Sequence, residues 1–156
     1  MKLKEMQLKT SYLKLDPIFY DMRSPTPLKQ PYLISANPEA AKLIGLDEEE
    51  LQGVDFVDFI NGKHLLEGSQ PFSMCYAGHQ FGHFVPRLGD GRAINLGEVQ
   101  GWNLQLKGAG ETLYSRSGDG RAVTRSSIRE YLMSEAMYAL GIPTTRALAL
   151  IGSQES

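Results

Sequence analysis

Glycine is concentrated in one part of the chain, and this limits what that part can form. Nine of the 16 glycines lie between Gly82 and Gly120. Each glycine inside a helix costs about 1 kcal/mol relative to alanine, whereas glycine favours turns and close approaches of the backbone. We therefore expect strands and turns in this part and helices outside it, which together make an α+β fold.

Alternating side chains predict two strands within the glycine-rich part. In 102–107 (WNLQLK) apolar and polar residues alternate with a period of two, and Lys107 falls on the polar side. Residues 92–99 (RAINLGEV) predict a preceding strand, joined by a tight turn at Gln100-Gly101. Lys107 is therefore expected to point away from the core.

Residues 1–70 predict an extended arm followed by short helices. Four prolines within residues 1–33 favour an arm that wraps over another surface, with three expected anchors, namely Tyr12, Tyr20 and Tyr32. Helix start and stop signals then predict three short helices, from Asn37 to Gly45, from Asp47, and over 54–60 with an end at Asn61-Gly62.

The longest helix is predicted to begin at Ser127. Ser127 and Glu130 match the S-x-x-E capping box, and Gly141 followed by Pro143 ends the helix. Its wide apolar face predicts burial between a sheet and another layer. Residues 146–151 then predict a further strand.

Composition excludes several classes of partner. A net charge of −2 with 42% hydrophobic residues favours neither nucleic acid nor a membrane surface as a partner. The first residues lack the apolar core of a signal peptide, and no apolar run approaches the ~20 residues of a membrane span. The single cysteine, Cys75, fits a reducing compartment. We expect a cytoplasmic protein.

One cluster has the spacing of metal ligands. Cys75, His79 and His83 stand four residues apart and would share a face of a helix. Gly78 and Gly82 weaken such a helix, however, and no fourth ligand lies nearby. We therefore expect packed, hydrogen-bonded histidines and no metal.

Two glycine-rich strings and many cations predict a site for a polyphosphate. LGDGRA (88–93) and SGDGRAV (117–123) are accompanied by Arg87, Arg92, Lys107, Arg116, Arg121, Arg125 and Arg129. The order of a glycine-rich turn, a hairpin ending in Lys107, a helix with an early Glu130 and a strand is that of a kinase-like small lobe. Taken alone, Glu130 could also cap its helix, and Asp119-Gly120 could be an ordinary turn.

Longer strings resemble a known family. They are YAGHQFG (76–82), LGDGRA (88–93), LKGAG (106–110), YSRSGDGRAV (114–123), RSSIREYLMSEAM (125–137) and LGIPTTRAL (140–148). In this order they resemble the selenoprotein O family. The resemblance implies a pseudokinase fold and protein adenylyltransferase activity, in which AMP passes from ATP to hydroxyl groups of protein substrates.

The resemblance also implies roles for particular residues. Nucleotide contacts are implied at Gly89, Gly91, Arg92, Lys107, Asp119 and Gly120, with Glu130 holding the lysine. The implied cofactors are ATP and Mg²⁺. The catalytic aspartate and the magnesium ligands are expected beyond residue 156, so this chain alone should bind nucleotide weakly and transfer nothing.

The implied organisation has two parts. Residues 1–70 form an arm with short helices, and 71–156 form a kinase-like nucleotide-binding lobe. Leu113 replaces a proline that is common in the family, which leaves the loop over 108–120 without one fixed backbone angle. Two alternatives to AMP transfer remain open at this point, a kinase-like phosphotransferase and a non-catalytic nucleotide-binding module.

Overall fold

The computed structural model describes residues 1–154 of the chain. Within that range the α-helices are α1 Pro38–Leu43, α2 Val54–Ile60 and α3 Thr124–Ala139. The strands are β1 Tyr20–Met22, β2 Tyr32–Ala36, β3 Phe72–Met74, β4 Gly78–Gln80, β5 His83–Val85, β6 Ala93–Val99, β7 Trp102–Lys107 and β8 Ala149–Gly152. Four 3₁₀ helices lie at Leu3–Glu5, Ser11–Lys14, Pro17–Phe19 and Glu48–Gln52. The mixture of helices with antiparallel strands confirms the predicted α+β class.

The main sheet is antiparallel, with the strand order β1-β3-β6-β7. Strands β2 and β8 form a second sheet and β4 and β5 a third, each with two strands. The β6–β7 hairpin turns at Gln100 and Gly101, whose φ angles of 51° and 79° suit a tight two-residue turn. The predicted hairpin is confirmed, and Lys107 is exposed while Leu106 is half-buried.

The core is centred on β6, and the start of the chain contributes directly to it. Leu3, Met6 and Leu8 are buried in the same cluster as Ile94 and Leu96. Two of the expected anchors pack on one ring, since Tyr12 and Tyr20 lie 5.1 and 6.1 Å from the ring centre of Phe72. Tyr32 is instead 49% exposed. The main anchors of the arm are therefore aliphatic side chains that the proline pattern did not single out.

The short N-terminal helices follow their predicted signals. The Asn37 side chain accepts hydrogen bonds from the N–H groups of Glu39 and Ala40 and so caps α1. The segment after Asp47 is a 3₁₀ helix. Helix α2 ends at Ile60 with Asn61 as its C-cap, which confirms the predicted end at Asn61-Gly62.

The start and the surroundings of α3 differ from the prediction. The helix begins at Thr124, and the Ser127 hydroxyl donates back to the carbonyl of Val123. The prediction of a capping box is therefore wrong, and Glu130 lies in the second turn of the helix. None of the α3 residues is buried by the described part of the chain, so the expected burial on both sides is not seen within residues 1–154. Its exposed apolar side chains are Ile128, Leu132, Met133 and Tyr138.

The segment with the metal-ligand spacing is a hairpin. His79 and His83 lie on β4 and β5 and are exposed, so the packed histidines expected from the sequence are absent there. The His79 ring lies 5.4 Å from that of Phe84. Residues 1–154 contain no group of three or more metal-ligating side chains that could hold an ion. None of the helices in this range has the length and hydropathy that crossing a membrane requires.

Candidate functional site

The turn that contains LGDGRA is held tightly from within. Gly89 has a φ of 57°, and a β-carbon at this position would overlap the Tyr114 ring. Only glycine combines this backbone angle with so close a neighbour. Burial raises the pKa of Tyr114 to about 12, which keeps its phenol neutral. Gly89 is therefore required by the fold, whatever it contacts besides.

Asp90 is the centre of a hydrogen-bond network in this turn. Its carboxylate accepts from the N–H of Met74 at 3.0 Å, the hydroxyl of Tyr76 at 3.2 Å and the amide of Asn95 at 3.0 Å. Burial and the nearby Asp90 carboxylate raise the pKa of Tyr76, which keeps its hydroxyl a donor. Gln105 donates to Asn95 at 3.1 Å and extends the network to β7. The sequence reasoning did not select Asp90, because two of its three partners lie 16 and 14 residues away in the chain.

A second turn, formed by residues 112–115, packs against the first. The Ser115 N–H donates to the Thr112 carbonyl at 3.2 Å, and the Thr112 N–H donates to the Ser115 hydroxyl at 2.7 Å. The Thr112 and Ser115 hydroxyls donate in turn to the carbonyls of Asp90 and Gly91, both at 2.6 Å. The shape of this turn is thus fixed by the side chains of Thr112 and Ser115. With Leu113 in place of a proline, the turn is still held by these hydrogen bonds.

The loop after Lys107 is joined to both glycine-rich strings. The N–H of Gly108 donates to the carbonyl of Arg92 at 2.7 Å, and Ala93 is the register partner of Lys107. The N–H of Gly110 donates to the carbonyl of Gly120 at 3.2 Å. These bonds bring Arg92, Lys107 and Gly120 into one region.

Asp119 and Arg121 form the outer part of this loop. The Asp119 carboxylate accepts from the N–H of Arg121 at 2.8 Å, which is an ordinary Asx turn. The Arg121 guanidinium donates to the carbonyl of Thr26 at 2.6 Å and to that of Gly108 at 3.3 Å. Arg121, expected among the phosphate-binding cations, therefore ties the N-terminal arm to the loop that follows Lys107.

Lys107 and Glu130 are in contact. The Lys107 Nζ lies 2.6 Å from Glu130 Oε2, and the two side chains are 47% and 53% exposed. Exposed pairs of this kind contribute about 0.2–1 kcal/mol to stability. The contact therefore orients the ammonium more than it stabilises the fold, and it leaves both side chains accessible to a ligand.

The other cations divide between the site and the helix. Arg92 and Arg116 are exposed, and Arg116 has a φ of 59°, which is uncommon for a residue with a side chain. Arg129 donates to the Ser126 hydroxyl at 3.2 Å along its own helix. Arg92 is the arginine nearest to Lys107 in the strand register.

A further ion pair anchors the same helix, and the sequence reasoning did not select it. Arg146 donates to both carboxylate oxygens of Glu135 at 2.9 and 2.7 Å, and its guanidinium lies 3.6 Å from the centre of the Tyr138 ring. Asn37 and the N–H of Ala147 also donate to this carboxylate at 2.8 and 3.0 Å. The Arg146 hydrogen bonds hold the pKa of Glu135 below its ordinary value.

The arrangement is an α+β protein in which a lysine–glutamate pair borders two glycine-rich loops. A family model described as "Protein adenylyltransferase SelO" matches residues 2–156, and the chain belongs to this family of nucleotidyltransferases. Its resemblance to the selenoprotein O family is thereby confirmed.

Curated relatives agree with this assignment. Proteins described as "Protein nucleotidyltransferase YdiU" from Thioalkalivibrio sulfidiphilus, Thiobacillus denitrificans and Myxococcus xanthus are 55%, 53% and 52% identical to it. Each alignment covers 97% of this chain and 32% of the relative. The chain therefore spans about a third of the length of the curated relatives it matches.

Proposed function

We propose that this chain is the ATP-binding part of a protein adenylyltransferase with a kinase-like small lobe in residues 71–156. The complete protein would transfer AMP from ATP to Ser, Thr or Tyr hydroxyls of other proteins in the cytoplasm. The observation that carries the proposal is the 2.6 Å contact between Lys107 and Glu130, beside two glycine-rich loops, in a chain of this family.

The proposed contacts follow from the chemistry of a triphosphate. Phosphate oxygens accept charge-assisted hydrogen bonds, each worth about 1.5–3 kcal/mol, from ammonium and guanidinium groups. Lys107 and Arg92 would supply these charges, and Gly91 would let the backbone approach. The Asp119-Gly120 turn would border the nucleotide on the other side.

Two candidate contributions lie outside this set. Mg²⁺ is expected to accompany ATP and to neutralise its phosphates, but residues 1–154 offer it no cluster of ligands. The resemblance implies that its ligands and the catalytic aspartate lie elsewhere in the complete protein, and we assign the metal no residue within 1–154 on that ground. The bare chain is expected to bind ATP weakly.

A kinase-like phosphotransferase is the second candidate, because a lysine held by a helix glutamate serves both chemistries. The two activities can be distinguished with the complete protein. It is incubated with protein substrates and with ATP labelled at either the α or the γ phosphate. AMP transfer predicts label on protein from the α position only. Label from the γ position only would establish the phosphotransferase, and ATP binding without label from either would establish a non-catalytic module.

A further inference from the structure

We propose that Thr112 and Ser115 are positioning residues that orient the backbone N–H groups of Gly91 and Arg92 toward the phosphates of a bound nucleotide. This inference rests on the proposed function. The two hydroxyls donate to the carbonyls of Asp90 and Gly91, both at 2.6 Å. Thr112 is only 7% exposed, so water does not compete readily for its bond.

Peptide geometry converts these two bonds into an orientation. In a trans peptide the carbonyl of one residue and the N–H of the next point in opposite directions, and every peptide here is trans. With the carbonyls of Asp90 and Gly91 directed at Thr112 and Ser115, the N–H groups of Gly91 and Arg92 point away from that turn. Successive N–H groups arranged in this manner form a concave site for an anion.

The other N–H groups of the turn are already occupied. The Gly89 N–H donates to the carbonyl of Tyr76 at 3.1 Å, and the Asp90 N–H donates to that of Met74 at 2.9 Å. Gly91 and Arg92 N–H groups have no acceptor within residues 1–154. The turn therefore offers two donors to a ligand, directly beside the Arg92 side chain.

Without the Thr112 and Ser115 hydroxyls, the N–H groups of Gly91 and Arg92 would no longer be held in their orientation. Glycines on both sides of Asp90 allow its flanking peptides to rotate at little cost. A rotated peptide presents a carbonyl oxygen, which repels a phosphate, where an N–H would have attracted it. The loss should therefore affect ligands that carry phosphates and spare adenosine, which carries none.

The experiment measures the dissociation constants of ATP and adenosine by titration calorimetry, with the product of the complete reading frame. Thr112→Val and Ser115→Ala remove the two hydroxyls while keeping side chains of similar size. Ser69→Ala is the matched control, since the Ser69 hydroxyl donates to the carbonyl of Leu96 at 2.7 Å outside the site. Thr112→Ser and Ser115→Thr restore a hydroxyl. Thermal unfolding of each variant identifies any that is not folded.

Thr112→Val and Ser115→Ala should each raise the dissociation constant of ATP about tenfold, the effect of one hydrogen bond. Adenosine affinity should stay unchanged, and Ser69→Ala, Thr112→Ser and Ser115→Thr should bind ATP like the unsubstituted protein. Unchanged ATP affinity in both hydroxyl-free variants, or an equal loss for adenosine, would overturn the positioning role. If the variants behave as expected but no AMP is transferred, only the proposed function fails; if the unsubstituted protein binds no ATP, both fail.

Discussion

Helix α3 presents two glutamates to two cations, and the two pairs differ in almost every respect. Glu135 binds both arms of the Arg146 fork, and the arginine side chain is 5% exposed. Glu130 makes a single contact with Lys107, and both side chains are about half exposed. The buried pair also receives hydrogen bonds from Asn37 and Ala147, whereas the exposed pair receives none within residues 1–154.

The difference separates a structural anchor from a pair that stays accessible to a ligand. A buried, multiply bonded pair resists rearrangement, because removing one partner leaves an uncompensated charge. An exposed single contact exchanges readily for a contact with a ligand. The helix is therefore attached to the fold at Glu135, and this attachment leaves Glu130 to aim the ammonium of Lys107.

The largest expected effect comes from breaking the anchor. Glu135→Gln should lower the free energy of unfolding by about 3 kcal/mol, because Arg146 would keep its charge without a counter-charge. Glu130→Gln is the matched control and should change stability by about 1 kcal/mol or less. Urea unfolding followed by circular dichroism measures both. Equal losses in the two variants would remove the distinction between the pairs.

A smaller loss is expected when the charge is kept and the fork is removed. Arg146→Lys should cost about 1.5–3 kcal/mol, because an ammonium can neither bind both carboxylate oxygens in one plane nor stack as well on Tyr138. Lys107→Arg keeps the charge of the exposed pair and should leave stability nearly unchanged. The same unfolding measurement compares them. If Arg146→Lys leaves the free energy of unfolding unchanged, the charge alone holds the helix.

The pH dependence of stability should also distinguish the pairs. Hydrogen bonds from Arg146 hold the pKa of Glu135 below its ordinary value of 4.5. Its stabilisation is therefore complete above about pH 4.5 and is lost as the pH falls through the lower pKa of the folded state. Unfolding curves between pH 7 and pH 3 should be less sensitive to acid in Glu135→Gln. An unaltered acid dependence in that variant would contradict the assignment.

The smallest effect on stability is expected at Lys107. Lys107→Ala should change the free energy of unfolding by less than about 1 kcal/mol. The same substitution should raise the dissociation constant of ATP about 10- to 100-fold, the equivalent of one charge-assisted hydrogen bond. Calorimetric titration of the complete protein measures the affinity. If ATP binds the variant as tightly as the unsubstituted protein, the assigned role of Lys107 is wrong.

Local signals predicted the elements whose start, stop and period lie within a few residues. Asn37 caps α1, Gln100-Gly101 turns the hairpin, and the alternation along 102–107 placed Lys107 on the polar side. The predicted start of α3 was wrong because Thr124, Ser126 and Ser127 are all residue types that commonly cap helices. In the structure, the helix begins before the capping-box pattern.

Contacts across long separations could not be predicted from single residues. Asp90 meets Met74, Arg146 meets Glu135 and Arg121 meets Thr26, at separations of 16, 11 and 95 residues, and each partner is determined by the assembled fold. The glycine-rich strings predicted a close approach of the backbone to a ligand. Gly89 also makes room for the Tyr114 ring, a neighbour that the sequence does not reveal.

The contact between Arg121 and Thr26 also orders events on the ribosome. The two residues are 95 positions apart, so the arm cannot complete this docking until the loop has been synthesised. At elongation rates of 5–20 residues per second, Thr26 waits roughly 5–20 s for Arg121 to be synthesised. Leu3, Met6 and Leu8 likewise lack the β6 side chains that later bury them until residues 93–99 have been synthesised. Until then these apolar side chains stay exposed on the nascent chain, which is the condition under which chaperones bind.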